Sequence, residues 1–523
     1  MPDSARLERL LRAGQQHLLR GGLKGLEKES LRLSLKGQIA QTPHPEALGS
    51  TLTHPWITTD YSEALIELIT PPFTRVNDTL GFLGDLHAFV YRQLEDEVLL
   101  ATSMPIGLNG DESIPIARYG HSNIGMMKHI YRRGLAHRYG RTMQSIAGLH
   151  FNYSFNEALW PALQDLEQNQ QSPAQYIADA YFGVIRNVHR HGWLLIYLFG
   201  NSPAISKSFF TGRESLAARF AELDRDTLYR PHATSLRMSD IGYRNDNQTS
   251  LVISFNSLEE YVASLERAIQ QPYPDYERIG VKVDGEYRQL NANILQIENE
   301  YYSAVRPKEV TRSGERPTLA LKKRGVRYLE LRALDLMSLA PEGITHREIR
   351  FLETFVLFCL LTESPPLGEA EIVECNQNSL GIACCGRGKD YKILRHGREI
   401  SIGQWGNEIF EQLVSIAGIL DEAGEDASYV KSIEQFRPCL LDSEETPSAQ
   451  VLKTLRSNHE SFAEFALRLS TEHADHWRNR PLNPDKTEEF KLEAENSWLK
   501  QGEIEAADDL PFDEFLQKYW QQD

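Results

Sequence analysis

Residues 25–33 read Gly25-Leu26-Glu27-Lys28-Glu29-Ser30-Leu31-Arg32-Leu33. Glu27 and Glu29 stand two residues apart, the period that puts side chains on one face of a strand. Carboxylates that close repel, and one is driven toward protonation unless a cation lies between them. The stretch predicts a strand with an acidic face, and the identity of the cation that face encloses is the first functional question.

Similar acids recur farther along. In the segment 58–72, Asp60, Glu63 and Glu67 lie in or beside an apolar run closed by Pro71-Pro72. If residues 64–70 form a strand, Glu67 is flanked by Leu65, Ile66, Leu68 and Ile69, and a lone buried charge there would cost several kcal/mol. In residues 328–332, alternation puts Tyr328, Glu330 and Arg332 on one face and Leu329 and Leu331 on the other. His150 sits in another alternating segment, 145–155. Any one of these has an ordinary explanation as a solvated edge charge, an arginine's partner or a satisfied core histidine, and Glu63 is best explained that way. Taken together, Glu27, Glu29, Asp60, Glu67, His150 and Glu330 all interrupt apolar or alternating stretches. A donor set of carboxylates with little His or Cys suits Mg²⁺, or Mn²⁺ in its place, rather than Zn²⁺. Because Mg²⁺ keeps waters and phosphate oxygens in its shell, the set reads as a metal–nucleotide site, with ATP as the nucleotide.

Cations and rings come from three further segments. Tyr131 and Arg132 precede an expected turn at Gly134, with Gln144 beyond; Arg237 and Tyr243 flank another turn; Tyr302, Arg306 and Lys308 follow an alternating stretch. Arginine is the residue for fork-like recognition of carboxylate or phosphate. Arg133 and Arg138 read as surface charges.

The 523-residue chain, 41% hydrophobic, is long enough for a large core. Its net charge of −17 argues against a nucleic-acid partner. An odd count of five cysteines without a CxxC pair points to reduced thiols rather than a disulfide framework or a zinc ribbon. The N-terminal leucines at 7, 10, 11, 18 and 19 have helical spacing and do not form a signal peptide. No apolar run approaches the roughly 20 residues of a membrane span. The longest, Phe351 to Leu361, carries Glu353. The chain is read as cytoplasmic, with no membrane partner.

Turn-rich breaks fall at 270–277, 306–318 and 363–371. Before the last, short alternating segments mix with helices; after it, periodicity is helical. The acidic last forty or so residues read as a solvated helical tail anchored by Trp498, Phe512, Phe515 and Trp520. Strands and helices without a regular βαβ period, and without GxxxxGK[ST] or GxGxxG, predict an α+β fold that holds a nucleotide by neither a P-loop nor a Rossmann turn.

The stretches GLEKESLRL, TTDYSEALIELITP, YRRGLAHRYG, QSIAGLHFNYSF, ATSLRMSDIGY, LQIENEYYSAVRPKEVTRSGE and YLELRALD, in this order, resemble the proteobacterial type of glutamate–cysteine ligase from about residue 20 to 340. The resemblance fades beyond about 350. It implies a fold like the catalytic part of glutamine synthetase, a curved and mostly antiparallel sheet forming a funnel with helices outside. Residues 1–345 would be the catalytic core and 346–523 a mainly helical C-terminal part. It implies joining of L-glutamate to L-cysteine with ATP, by a monomer. It also implies metal ligands at Glu27, Glu29, Asp60, Glu67, His150 and Glu330, and a cysteine pocket at Tyr131, Tyr243 and Tyr302 with Arg237 on the cysteine carboxylate. Arg332 would face the transferred phosphoryl group, and Arg132 and Gln144 would lie at the substrate site. Cys384 and Cys385 receive no role.

Overall fold

A computed structural model describes residues 5–242, 251–422 and 428–522. Its centre is a seven-stranded sheet of β1 (Leu23–Ser34), β2 (Ile57–Thr59), β3 (Leu65–Ile69), β4 (Glu97–Leu99), β5 (Leu149–Ser154), β6 (Val305–Lys308) and β7 (Tyr328–Leu334). The order is β6-β7-β5-β1-β3-β2, with β4 paired to the far end of β1, and every pairing is antiparallel. With its surrounding helices this is the expected α+β architecture.

Alternation along β1 sorts its mixed charges. Glu27 and Glu29 take one face, and Lys24 and Lys28 the other, where helices cover the sheet. The helices that matter here are α1 (Val76–Tyr91), α2 (Asn123–Tyr139), α3 (His346–Leu361), α4 (Phe462–Asn479) and α5 (Pro484–Ala507). Lys24 Nζ donates to Glu353 Oε1 of α3 at 2.7 Å, and Lys28 Nζ lies 2.8 Å from His87 Nε2 of α1. His87 Nδ1 must donate to the Leu83 carbonyl at 2.8 Å, which leaves Nε2 as the acceptor for Lys28. Burial pulls Lys28 down to about 7.

The apolar run Phe351–Leu361 is the body of α3, opened by a Thr345/Glu348 capping box and buried along its length. No helix among the described residues is long and apolar enough to cross a membrane. The main hydrophobic core runs from Leu10 to Phe490 and includes residues of α4 and α5, while the terminal helix packs through a smaller cluster of Met127, Ile130, Leu290, Leu516 and Tyr519.

Three expectations need correction. First, Gly134 makes no turn: α2 runs through it unbroken. A Cβ there would lie 2.1 Å from Gln296 Oε1, so the glycine permits close approach of the 290–302 loop. Gly134→Ala should therefore destabilise by about 1–3 kcal/mol through overpacking. In an open helix the same change would stabilise by about 0.5–1 kcal/mol, so the sign of the shift in chemical denaturation decides the point.

Second, Arg138 is no surface charge. Its side chain is fully buried, 2.9 Å from Glu300 Oε1 and stacked 4.0 Å from the Tyr276 ring centroid. Third, the acidic tail docks. Phe490, Ala494 and Ser497 form the buried stripe of α5, and Ser497 Oγ accepts from the Ser50 N–H at 2.8 Å. In the terminal helix Phe512–Trp520 the buried anchors are Leu516 and Tyr519; Trp498 stays 41% exposed.

Candidate active site

The strand register brings the dispersed acids together. Glu29 lies directly opposite Glu67, Glu27 opposite His150, and Glu330 opposite both Asn152 and Arg306. Like charges placed opposite one another destabilise a sheet unless something positive intervenes. His150 is the hub. Its Nδ1 is 3.1 Å from Glu27 Oε2 and 3.4 Å from Glu330 Oε1, while Nε2 is 3.7 Å from Glu29 Oε1.

Two triads result, Glu27–His150–Glu330 and Glu29–Glu67–His150, each with its ligand atoms within 4.8 Å of one another. Glu67 is raised well above the usual carboxylate range by burial and by Glu27, Asp60, Glu29 and Glu330. Burial and Asp60 raise Glu29 to about 8. For Glu330 burial is outweighed by Arg332, Lys308 and His150, and the group is held well below the usual range. His150 is lowered by burial and by Arg332, which leaves a neutral imidazole whose buried Nε2 has no hydrogen-bond partner among the described residues. Crowded carboxylates beside a neutral imidazole nitrogen fit a bound divalent cation. Asp60 faces the same cavity but belongs to neither triad.

The acids floor a cavity of about 790 Å³, within the ordinary range for a ligand site. Its cationic side is Arg332, Lys308 and Arg306. Arg332 Nη1 is 2.7 Å from Glu330 Oε1, and Lys308 Nζ is 3.4 Å from Glu330 Oε2. From α2 come Tyr131 and Arg132. Arg132 Nη1 donates to the Lys128 carbonyl at 3.0 Å, and its guanidinium stacks 4.6 Å from the Tyr119 ring centroid. Gln144 Nε2 donates to Tyr302 Oη at 2.8 Å, joining two predicted residues across the cavity wall.

Arg237 is placed differently. It is fully buried, donates to the Arg332 carbonyl at 2.9 Å and passes under Gly148, where a Cβ would meet its Nη2 at 2.1 Å. It is not among the residues lining the large cavity. Its neighbour Met238 instead lines a smaller one, about 180 Å³, that shares Tyr302 and Arg332. Tyr243 lies outside the described residues.

Sequence reasoning missed Asn152, whose Nδ2 donates to Glu27 Oε1 at 2.8 Å. It stands two residues after His150, and the strand period alone could have found it. Lys500, Glu503 and Ile504 of α5 line the cavity mouth, and nothing local to that helix announces it.

A profile of the glutamate–cysteine ligase family matches residues 7–382. The chain is 48% identical over 516 residues to glutamate–cysteine ligase of Pseudomonas paraeruginosa, covering 99% of this chain and 97% of that protein. It is 46% identical over 521 residues to the one from Alcanivorax borkumensis, covering 98% of each. The likeness thus continues well past residue 350, where the sequence reading had lost it. A crystal structure of Francisella tularensis glutamate–cysteine ligase in complex with AMP superposes with a TM-score of 0.90 at 35% identity, over 96% of this chain and 98% of that one.

Proposed function

The chain belongs to the glutamate–cysteine ligase family, and from that premise we propose that it couples ATP cleavage to formation of γ-glutamylcysteine, the first step of glutathione synthesis. The observation that carries the reading is the acid floor centred on His150 with Arg332 against it: a place for phosphates and a guanidinium for the group in transfer.

In this reading an oxygen of the glutamate γ-carboxylate attacks the γ-phosphorus of ATP and ADP departs. The cysteine amine then attacks the acyl carbon, phosphate leaves with the broken C–O bond, and the nitrogen gives up a proton. Phosphoryl transfer asks the protein for positioning and charge neutralisation more than for covalent chemistry. Glu27, His150 and Glu330 on one side and Glu29, Glu67 and His150 on the other, with Asp60 nearby, would hold Mg²⁺ (or Mn²⁺), which supplies positive charge to the triphosphate when bound.

Arg332, steadied by Glu330, would meet the equatorial oxygens of the transferred group. Tyr131, Tyr302 and Gln144 wall the opposite side for the amino-acid substrates, with Arg132 behind them. Arg237, Tyr243 and the smaller cavity beside Tyr302 complete the proposed cysteine side. The AMP bound by the Francisella protein supports an adenine nucleotide here. The protein would act as a cytoplasmic monomer on small-molecule substrates, without nucleic acid or membrane.

The test is ADP release. With ATP and metal, turnover should need glutamate and accelerate strongly when cysteine is added. ADP release indifferent to glutamate would end the proposal.

A further inference from the structure

The helix Phe512–Trp520 connects two walls of the main cavity. Ahead of it, the chain is tied to the first turn of α2: Asn123 Nδ2 donates to the Leu510 carbonyl at 2.9 Å, and the Asn123 N–H donates to Asp508 Oδ2. Along the helix, Leu516 and Tyr519 are buried with Met127 and Ile130 of α2 and with Leu290. Met127 and Tyr519 both line the cavity. Past the helix, Gln522 reaches the loop 311–317 that follows β6, and residues 311–315 and Pro317 of that loop line the cavity as well.

The contacts of Gln522 carry the inference. Its Oε1 accepts from the Arg316 N–H at 3.1 Å, and its Nε2 donates to the Gly314 carbonyl at 2.8 Å. One carboxamide thus pairs with the loop backbone as a neighbouring strand would. The Gln522 carbonyl accepts in addition from Arg316 Nη1 at 3.4 Å. Beneath the helix, the apolar cluster is small and separate from the main core. An element held by so few apolar contacts opens at a fraction of the global unfolding free energy.

We propose that the helix Phe512–Trp520 is a strap across the cavity and Gln522 its latch, a positioning residue that keeps the 311–317 wall closed while the acyl phosphate exists. The inference rests on the ligase reading and adds what shields its intermediate. Water that reaches the acyl phosphate returns glutamate and phosphate, so that ATP is hydrolysed to ADP and phosphate and no amide forms. Closing a site against water prevents that side reaction, and short, weakly held segments at the mouth are the means by which enzymes close. Alanine at position 522 offers the loop neither the donor nor the acceptor.

The experiment compares wild type with Gln522→Ala and with Glu514→Ala, a control on the exposed face of the same helix. One readout is ADP released per γ-glutamylcysteine formed at saturating ATP and glutamate, with cysteine present and then absent. The other is amide hydrogen exchange across residues 311–317 without substrates. Loss of the carboxamide removes two hydrogen bonds, so the wall should open about 5- to 150-fold more often. Glutamate-dependent ADP release without cysteine should rise on that scale, ADP should exceed peptide when cysteine is present, and exchange in the loop should accelerate. Glu514→Ala should match wild type in both. A general loss of folded protein lowers ADP and peptide together and does not move their ratio. Unchanged exchange in Gln522→Ala would overturn the latch. Faster exchange with an ADP:peptide ratio within about twofold of wild type would overturn its role in shielding the intermediate. No glutamate-dependent ADP release from wild type would overturn the ligase reading instead, and the exchange data would still report on the latch.

Discussion

Arg332→Met is expected to lower kcat by about 10³-fold, the scale on which a guanidinium facing a transferring phosphoryl group acts, while the protein stays folded. The backbone of Arg332 is held by its own pairings: its N–H donates to the Ala304 carbonyl at 2.8 Å, and its carbonyl accepts from Arg237 at 2.9 Å. Those bonds survive loss of the side chain. What goes is the charge 2.7 Å from Glu330 and 3.5 Å from His150 Nδ1, in a side chain only 12% exposed and therefore weakly screened. An interaction made mainly in the transition state should show in kcat, with KM for ATP moving much less. Arg332→Lys restores a charge without the planar fork and should recover only part of the rate. Unchanged kcat in Arg332→Met, with an intact circular-dichroism spectrum, would remove the residue from the chemistry.

The two triads are legible in the chain because each of their members sits in a strand, and a strand's period of two turns neighbours in sequence into neighbours in space. Glu27 and Glu29 are read from a single hexapeptide; Glu330 and Arg332 come from another. Their mutual placement depends on which strands pair, and β1 meets β3 and β5 only after long stretches of intervening chain, so only the resemblance supplied it. The misreadings share one physical cause. Gly134 and Arg138 look like punctuation and surface charge because their partners, Gln296 and Glu300, lie in a distant loop. The stripe by which α5 docks, Phe490, Ala494 and Ser497, has one large apolar side chain and two small ones. It carries too little hydrophobic contrast to be separated from a solvated helix, yet it brings Lys500 and Glu503 to the cavity mouth. Lys24 and Lys28 are invisible as core residues for a similar reason: their countercharge and acceptor are on helices that sequence alone does not place beneath β1.

Glu353→Leu is expected to cost about 3–5 kcal/mol of stability, because it strands a buried ammonium. Lys24 and Glu353 side chains are each 2% exposed and meet at 2.7 Å. Glu353 Oε1 also accepts from Tyr153 Oη at 3.4 Å, and Oε2 accepts from Tyr429 Oη at 2.7 Å. With the acid gone, Lys24 keeps the Gly22 carbonyl at 3.1 Å, which does not offset the desolvation of a charge. The double variant Lys24→Met/Glu353→Leu removes both charges and should regain most of the loss, since an apolar pair of similar volume commonly matches a buried ion pair. The Tyr153 and Tyr429 hydroxyls would still have lost the Glu353 carboxylate, so recovery should stop short of wild type by about 1–3 kcal/mol. Urea midpoints of the single and double variants provide the comparison. Equal midpoints would mean that the carboxylate serves the tyrosines and not the lysine. The site would report the same loss, because Lys24 is three residues before Glu27 on β1. A strand released from α3 at Lys24 no longer holds Glu27 at its distance from His150, so the single variant should lose metal affinity before it loses its fold, and the double variant should regain it.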